Sequence, residues 1–312
     1  MTAEIFIISG FLGAGKTTLI QKLLREALVG EKTAIVENDF GEISVDAALL
    51  RTGGIEVTEL NSGCICCGIT GDFVKSLRGL LTRFEPRVVL IEPSGVGKLS
   101  DIAAACAGPD IGALASVRRK ITVVDVKRCQ MYRDNFGEFF IDQIENADLV
   151  LLSRTEDFPG RAETAREIVR EINARADVLT QPWADIDAAG LLYAGACEPE
   201  GCEHDHDHDH DHDHEHGHDH MADEIFDTVT IRTDRFFSRE ELQARLAALE
   251  NAAGLVLRAK GVMRGPAGNW NLQYLPGDWR IERCAADGGT LCIIGRDLNQ
   301  SELAGIFGGV PA

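Results

Sequence analysis

Short apolar runs alternate with longer amphipathic segments through the first half of the chain. The runs predict strands at residues 4–9, 33–37, 55–60, 88–92, 120–125 and 148–152. Helical spacing of apolar residues predicts helices at 17–28, 71–84 and 161–173. Apolar strands that alternate with helices are typical of a mostly parallel sheet covered on both faces. We therefore predict an α/β domain over residues 1–195.

The last part of the chain predicts a second, smaller domain at 223–312. A strand at 225–233 leads into a helix at 238–250, where Ser238 is the N-cap and Glu241 completes a capping box. Further strands are predicted near 255–262, 269–274 and 291–295, before a final helix near 301–307. This mixture of elements indicates a compact α+β domain.

Between the two domains lies a segment, 196–222, whose composition cannot form a core. Cys197 and Cys202 stand at its start, and acidic residues alternate with histidines along it. We expect a mobile linker. Neutral imidazoles bind Zn²⁺, Ni²⁺ and Co²⁺, so the tract predicts weak, multivalent metal loading. All nine histidines of the chain lie here, at every second position: His204, His206, His208, His210, His212, His214, His216, His218 and His220.

Charge and composition exclude several kinds of partner. The formal net charge is −19, with 50 acidic residues against 31 Lys and Arg. Such a chain disfavours nucleic acid and anionic membranes as partners. No apolar run approaches the roughly 18 residues of a membrane span, and the first residues lack a basic leader segment. We therefore expect a cytoplasmic protein whose nine cysteines are reduced thiols or metal ligands.

A phosphate-binding loop is predicted at residues 10–17. Their sequence, GFLGAGKT, matches G-x-x-x-x-G-K-[ST] between a predicted strand and a predicted helix. Glycines let backbone N–H groups surround phosphates, and the helix N-terminus adds partial positive charge. Lys16 would neutralise the outer phosphates, and the Thr17 hydroxyl would ligate Mg²⁺. The predicted nucleotide-binding residues of this loop are Gly13, Ala14, Gly15, Lys16, Thr17 and Thr18.

Hydrolysis of a nucleoside triphosphate also needs an acid near the metal and a sensor for the terminal phosphate. Glu92 ends the predicted strand at 88–92 and can reach Mg²⁺ directly or through water. The backbone N–H of Gly95, in the sequence EPSG, can meet the γ-phosphate. Asp39, in the segment ENDFGE at 37–42, is a candidate second acid near Mg²⁺. The predicted catalytic residues are Lys16, Thr17, Glu92 and Asp39.

Three thiols lie within four residues, at Cys64, Cys66 and Cys67. Neighbouring cysteines rarely form a strain-free disulfide, and thiolates suit a soft or borderline ion such as Zn²⁺. A fourth ligand would come from water or from an acid of the ENDFGE segment, Glu37 or Glu42. The pattern predicts a metal site that responds to the nucleotide.

Together these motifs resemble the CobW-like P-loop GTPases, relatives of the nickel-insertion GTPases of hydrogenase and urease maturation. The resemblance covers nearly the whole chain, through GFLGAGKTT, ENDFGE, GCICC, EPSG, the His-rich linker and the small C-terminal domain. It implies a metallochaperone or metal-insertion GTPase that uses GTP and Mg²⁺. Its cargo would be Zn²⁺ first, or Co²⁺ or Ni²⁺, for a client metalloprotein. A homodimer that forms with nucleotide or metal fits the same interpretation.

One motif departs from the family pattern. Where the family has N-K-x-D after a strand, this chain has Ser153, Arg154, Thr155 and Glu156. Glu156 can accept hydrogen bonds from guanine N1 and N2, and Arg154 can stack on the base. Guanine is therefore expected over adenine. Because Val96 and not glutamine follows Gly95, we also expect slow intrinsic hydrolysis.

Two other functions fit part of the pattern and stay open at this point. A metal store would rely on the histidine tract and take up metal regardless of GTP or of Lys16. A P-loop kinase, or a nucleotide-using factor in corrinoid cofactor assembly, would prefer ATP or transfer phosphate to a small acceptor.

Overall fold

The computed structural model describes residues 2–37, 56–59, 70–193 and 222–312. These residues form two sheets, one parallel and one antiparallel. None of the helices in the described ranges has both the length and the apolar character needed to cross a bilayer.

The first domain is built on a seven-stranded sheet in which neighbouring strands run parallel. Its strands are β1 Ala3–Ser9, β2 Thr33–Glu37, β3 Glu56–Glu59, β4 Val88–Glu92, β5 Ala115–Asp125, β6 Leu149–Ser153 and β7 Asp177–Leu179. They lie in the order β3-β2-β4-β1-β5-β6-β7. The predicted α/β class is confirmed, and the carboxyl ends of the strands share one edge of the sheet.

Helices cover both faces of this sheet. They are α1 Lys16–Glu26, α2 Thr70–Phe84, α3 Leu99–Ala107, α4 Pro109–Gly112, α5 Cys129–Glu145, α6 Pro159–Ile172 and α7 Ala188–Tyr193, with a 3₁₀ turn at Trp183–Asp185. On one face, the apolar stripe of α1 packs with Phe6 and Ile8 of β1. Ile5 and Ile7 belong to the core of the opposite face, which includes side chains of α2 and α5. The alternation along β1 thus buries both faces.

Two strands of this parallel sheet differ clearly from the sequence-based prediction. β5 begins at Ala115 and not at residue 120, because its first half alternates exposed and buried positions and lacks a continuous apolar run. Pairing with β1, where Ala3 lies opposite Ala115, holds that half in the sheet. β7 has only three residues, none of them fully buried, and it forms by pairing with β6. Pairing within the sheet therefore decides where β5 begins and that β7 forms.

The second domain contains a six-stranded antiparallel sheet. Its strands are β8 Asp227–Arg232, β9 Leu255–Met263, β10 Asn269–Leu275, β11 Asp278–Cys284, β12 Thr290–Arg296 and β13 Val310–Pro311. They lie in the order β11-β10-β9-β12-β8-β13. The helices of this part are α8 Ala222–Ile225, α9 Arg239–Ala248 and α10 Gln300–Phe307, with a 3₁₀ turn at Leu249–Asn251.

The sequence pattern does not predict β11, although this strand proves important for the site. Only Ile281 is buried along it, so its apolar signal is weak. A tight turn at Pro276 and Gly277, the glycine with φ +69°, returns the chain from β10 and fixes the register. The hairpin formed by β10 and β11 is called the docking hairpin below.

The capping box predicted for the helix after β8 is present. The Ser238 hydroxyl oxygen accepts a hydrogen bond from the Glu241 N–H at 3.1 Å, and the Glu241 carboxylate accepts one from the Ser238 N–H at 2.9 Å. Two N–H groups that the first turn leaves unpaired are thereby satisfied.

An aromatic contact joins the second domain to the first. The Phe226 ring lies 5.2 Å, centroid to centroid, from both Phe136 and Phe139 of α5. Leu257 and Ile294 of the C-terminal sheet belong to the same buried cluster as these rings. The C-terminal sheet therefore shares a hydrophobic core with the α5 side of the first domain.

None of the four cysteines within the described ranges forms a disulfide. Cys106, Cys129 and Cys292 are buried, as expected for core residues, and Cys284 is partly buried. Burial raises the pKa of both Cys106 and Cys129 to about 12, so neither forms a thiolate near neutral pH.

The capping box predicts a measurable cost for its removal. Ser238→Ala leaves the Glu241 N–H without its acceptor and is expected to lower the free energy of unfolding by about 1 kcal/mol. Urea unfolding followed by circular dichroism measures this. Ser301→Ala is the matched control, because Ser301 is exposed in the first turn of α10, which Asn299 caps. Equal effects of the two substitutions would contradict the role of the box.

Candidate nucleotide site

The predicted phosphate loop lies between the carboxyl end of β1 and the start of α1. The Lys16 ammonium donates a hydrogen bond to the Gly10 carbonyl at 3.0 Å, and the residue is only 5% exposed. A buried ammonium held inside the loop suits the neutralisation of phosphate charge.

The acid predicted to act near the metal lies beside this loop. β4 pairs directly with β1, which brings Glu92 to the phosphate loop. The Thr17 hydroxyl oxygen lies 3.2 and 3.3 Å from the two Glu92 carboxylate oxygens, and the Lys16 nitrogen lies 4.0 Å from one of them. A hydroxyl and a carboxylate that converge are hard oxygen ligands, which Mg²⁺ prefers. The donor set therefore fits Mg²⁺.

The predicted phosphate sensor, Gly95, lies against the phosphate loop. A Cβ added at Gly95 would lie 2.8 Å from the backbone nitrogen of Leu12, so only glycine permits this approach. The side-chain amide of Gln143 donates to the Gly95 carbonyl at 3.1 Å and to the Gly97 carbonyl at 2.8 Å. Gln143 is fully buried on α5 and was not anticipated. The available signal in the sequence is that Gln143 lies within FFIDQI, the otherwise largely apolar segment 139–144.

Residues 153–156, which stand where the family has N-K-x-D, are called the base motif here, and their serine joins them to the phosphate loop. The Ser153 hydroxyl donates a hydrogen bond to the Ala14 carbonyl at 2.7 Å, and the residue is buried. Glu156 is exposed two residues beyond Arg154. Its hydrogen bonds to guanine stay a prediction.

Arg154 is held by carboxylates of both domains. Its guanidinium donates to Asp278 of the docking hairpin at 2.6 Å and lies 3.5 Å from Asp125 at the end of β5. The residue has φ +61°, a left-handed conformation that is uncommon outside glycine. Stacking of Arg154 on a base stays a prediction.

Trp183 is a further residue of this region that the sequence pattern did not single out. Its indole N–H donates to the Leu152 carbonyl at 2.8 Å, at the end of β6. A Cβ added at Gly15 would lie 3.2 Å from the indole ring, so the ring flanks the phosphate loop.

The docking hairpin closes the site from the side of the C-terminal domain. Arg128 donates to the Pro276 carbonyl at 2.9 Å, and Lys127 donates to the Gly277 carbonyl at 3.2 Å. The result is a cavity of about 360 Å³ that both domains line. Its lining includes Lys16, Thr17 and Glu92 from the first domain, and Arg258, Gln273 and Arg280 from the second.

Buried charge holds this contact together. Asp125 is 2% exposed and accepts a hydrogen bond from Arg128 at 2.7 Å. Partial burial acts to raise the pKa of Asp278. The hydrogen bond from Arg154 and the charges of Arg154, Arg128 and Lys127 outweigh it and lower that pKa below its usual range.

Of the candidate ligands for the transition metal, as distinct from Mg²⁺, Glu37 is the one that lies within the described ranges. It ends β2, is 6% exposed, and lies in register with Glu92 on β4 and with Glu59 on β3. Within the described ranges no group of three or more His, Cys, Asp or Glu side chains converges. The other candidates lie outside these ranges: Asp39, Glu42, Cys64, Cys66, Cys67, Cys197, Cys202 and the nine histidines from 204 to 220.

Comparison with known proteins identifies both parts of the chain. Residues 4–180 match the model of the CobW/HypB/UreG nucleotide-binding domain, and residues 226–310 match that of the cobalamin synthesis protein cobW C-terminal domain.

Curated relatives match over much of the chain. A zinc chaperone CobW from a Sinorhizobium species is 32% identical over 61% of this chain and 62% of its own. The zinc chaperone YjiA of Escherichia coli is 34% identical over 61% of this chain and 60% of its own. The zinc-regulated GTPase metalloprotein activator 1 of Schizosaccharomyces pombe is 23% identical over 85% of this chain and 73% of its own. The chain thus spans about three fifths of the length of the two bacterial relatives.

Contact between Thr17 and Glu92 predicts that the two act through one cation. Thr17→Ala and Glu92→Gln are each expected to weaken Mg²⁺-dependent nucleotide binding by about tenfold or more. The double variant is expected to be little worse than the poorer single one, because residues that share a partner are not additive. Binding of a fluorescent nucleotide with and without EDTA measures this. Thr82→Ala, an exposed threonine of α2, is the control, and additive losses would contradict a shared cation.

The docking hairpin is predicted to loosen when its carboxylate is neutralised. Asp278→Asn is expected to speed amide hydrogen exchange at residue 275 and at residues 277–279 while leaving β1 and β4 unchanged. Because the Asp278 pKa is lowered in the folded protein, its contribution is present at neutral pH. That contribution is lost as pH falls through this lowered pKa. Asp297→Asn, at an exposed ion pair, is the control. Unchanged exchange in Asp278→Asn would contradict the docking role.

Proposed function

The chain belongs to the CobW/HypB/UreG family of nucleotide-binding proteins, and on this premise we propose that it hydrolyses GTP to deliver a transition metal to a client protein. Zinc is the first candidate for the metal, with cobalt or nickel as alternatives. One observation carries the proposal. Glu37, the candidate cargo ligand that ends β2, is in register with Glu92, the candidate magnesium acid that ends β4.

The nucleotide half of the proposal rests on the phosphate loop and its neighbours. Lys16 binds the outer phosphates, while Thr17 and Glu92 hold Mg²⁺, which neutralises phosphate charge when bound. Gly95 presents its N–H to the γ-phosphate, in a loop that Gln143 fixes. Glu156 reads guanine, next to a serine that is anchored to Ala14. Val96 offers no side chain to orient water, so unassisted turnover is slow.

The cargo half of the proposal rests on Cys64, Cys66 and Cys67. Cys64 comes five residues after Glu59, the last residue of β3. Covalent geometry therefore keeps the Cα atom of Cys64 within about 18 Å of that strand end. β3 pairs with β2, so this end is adjacent to Glu37. Thiolates of Cys64, Cys66 and Cys67 with a carboxylate suit zinc, the metal in the names of the relatives.

Coupling follows from the spacing of the strands. Neighbouring strands lie about 4.8 Å apart, so Glu37 is one strand away from the proposed Mg²⁺ ligand Glu92. The chain passes from Glu37 directly into the segment of Asp39 and Glu42. We infer that bound GTP and Mg²⁺ arrange this segment into a complete cargo site, and that hydrolysis breaks the arrangement and releases the metal.

The remaining parts have supporting roles in this proposal. The histidine tract at 204–220 collects metal weakly and raises its local concentration. A reducing cytoplasm keeps the cysteines available as ligands. The receiving partner is a metalloprotein, and a homodimer that forms with nucleotide or metal remains part of the hypothesis.

Nucleotide control of zinc affinity tests the proposal. A variant lacking residues 203–220 removes the weak sites of the tract, and a chromogenic chelator competes for Zn²⁺ with and without a non-hydrolysable GTP analogue. We expect the analogue to tighten Zn²⁺ binding about tenfold or more, a coupling free energy of roughly 1.4 kcal/mol.

Three comparisons make this test specific. Cys66→Ser with Cys67→Ser is expected to abolish the tight site, and Lys16→Ala is expected to keep zinc binding but lose its dependence on nucleotide. Cys284→Ser is the thiol control, because Cys284 lies on β11 and is far in sequence from Cys66 and Cys67. Zinc affinity that ignores the GTP analogue would refute the coupling and favour a metal store.

A further inference from the structure

The face of the C-terminal sheet that lines the cavity carries two arginines. Arg280 of β11 lies opposite Gln273 of β10, and side chains of opposed residues share a face of an antiparallel pair. Tyr274 of β10 lies opposite Ala259 of β9, so the preceding residue, Arg258, is on the same face as Gln273. The sheet thus brings Arg258 and Arg280 to a cavity that also contains Lys16, Thr17 and Glu92.

Contact between the docking hairpin and the phosphate loop fixes the position of this face. A Cβ added at Gly13, where φ is +69°, would lie 2.4 Å from a methyl carbon of Leu275. The Leu275 side chain therefore occupies the space next to Gly13. β9 and β10 are antiparallel, and Tyr274 lies opposite Ala259. One residue further along β10 is Leu275, and the residue opposite it on β9 is Arg258. Leu275 and Arg258 are therefore cross-strand neighbours.

The surroundings of Tyr132 agree with a position of Arg258 beside the phosphate loop. The Tyr132 hydroxyl donates to the Leu12 carbonyl at 3.1 Å, directly behind the phosphate loop. Burial raises the pKa of Tyr132, and the positive charge of Arg258 is among those that act in the opposite direction. The position itself follows from the sheet, because Arg258 is the cross-strand neighbour of Leu275 and the Leu275 side chain lies next to Gly13. Arg258 therefore lies at the Leu12–Gly13 part of the loop. This is the part against which Gly95 packs.

We propose that Arg258 contacts the terminal phosphate of the bound nucleoside triphosphate, so that the C-terminal domain supplies a phosphate-binding arginine to the first domain of the same chain. This inference rests on the proposed GTP hydrolysis. A guanidinium offers paired N–H donors that match phosphate oxygens and keeps its charge at any physiological pH. It stabilises the charge that develops as the bond between the β–γ bridging oxygen and the γ-phosphorus breaks and water adds to that phosphorus.

The setting of Arg258 suits this role better than that of Arg280. Arg258 is partly buried on a central strand, whereas Arg280 is exposed on the edge strand of the sheet. A partly buried arginine side chain has less conformational freedom to lose on binding phosphate than an exposed one. The same arrangement makes docking of the C-terminal domain a requirement for fast hydrolysis, because the arginine reaches the loop only while the hairpin is in contact with it.

The test compares triphosphate and diphosphate in full-length protein. Arg258→Gln is expected to slow single-turnover GTP hydrolysis by about 10³-fold, at the lower end of what a phosphate-contacting arginine supplies. The affinity for a non-hydrolysable GTP analogue is expected to fall about tenfold relative to that for GDP, because only the analogue has the terminal phosphate. Arg258→Lys is expected to show an intermediate loss, since it keeps the charge without the paired donors.

Arg283→Gln is the matched control. Arg283 is on β11 with Arg280 but on the opposite face, where it stacks 3.5 Å from the Trp270 ring and donates to the Gly268 carbonyl. It is expected to leave the rate and the affinity ratio unchanged. Circular dichroism verifies that each variant folds, and Arg258→Lys carries the test should Arg258→Gln fail to fold.

The outcomes separate this inference from the proposed function. A wild-type rate and affinity ratio in both Arg258 variants would overturn it, and so would equal losses of affinity for GDP and the analogue. Wild-type protein that neither binds nor hydrolyses GTP would instead refute the proposed function, before any variant is compared.

Discussion

Parallel pairing of the central strands is the constraint on which the site depends. β1, β4, β5 and β6 run in one direction, so their carboxyl ends meet at one edge of the sheet. The phosphate loop comes directly after β1, and the last residues of β4, β5 and β6 are Glu92, Asp125 and Ser153. Because the register Ile7↔Ile91 aligns β1 with β4, the Thr17 hydroxyl comes within hydrogen-bond distance of the Glu92 carboxylate. A shift of register would separate these oxygens and remove the fit for Mg²⁺.

Buried polar groups then hold the loops at that edge. Gln143 fixes the loop after β4, Ser153 fixes the base motif to the phosphate loop, and Asp125 orients two arginines. Burying such groups is costly, and each of these hydrogen bonds offsets part of that cost in one arrangement of the loop that it contacts.

The C-terminal domain forms part of this site, because its residues line the cavity at the phosphate loop. Its sheet shares a core with α5 through Phe226, and its hairpin contacts the phosphate loop through Leu275. α5 also carries Tyr132 and Gln143, which contact the phosphate loop and the loop after β4. One helix therefore connects the domain interface with the residues that would contact phosphate. A change at the nucleotide has a short physical route to the second domain.

Local patterns account for much of what was predicted correctly. The apolar run of β4, the phosphate-loop motif and the capping box at Ser238 each depend on residues close in sequence, and each appears as predicted. β11 and β7 were not predicted, because their stability comes from pairing with neighbours and not from an apolar pattern of their own. Gln143 was likewise outside the prediction, since its partners are 46 and 48 residues away.

The sequence by itself determined which chemical groups the chain offers: a phosphate-loop motif, an acid at the end of a predicted strand, and cysteines and histidines of the types that bind metal. Spacing and residue type suffice for these, because the groups act through their own segments. Only the tertiary structure decided that Arg154 binds Asp278 and that Arg258 and Arg280 line the nucleotide cavity. These residues are more than a hundred positions from their partners or from the phosphate loop. Their meeting depends on how two sheets dock, a contact that no local pattern encodes.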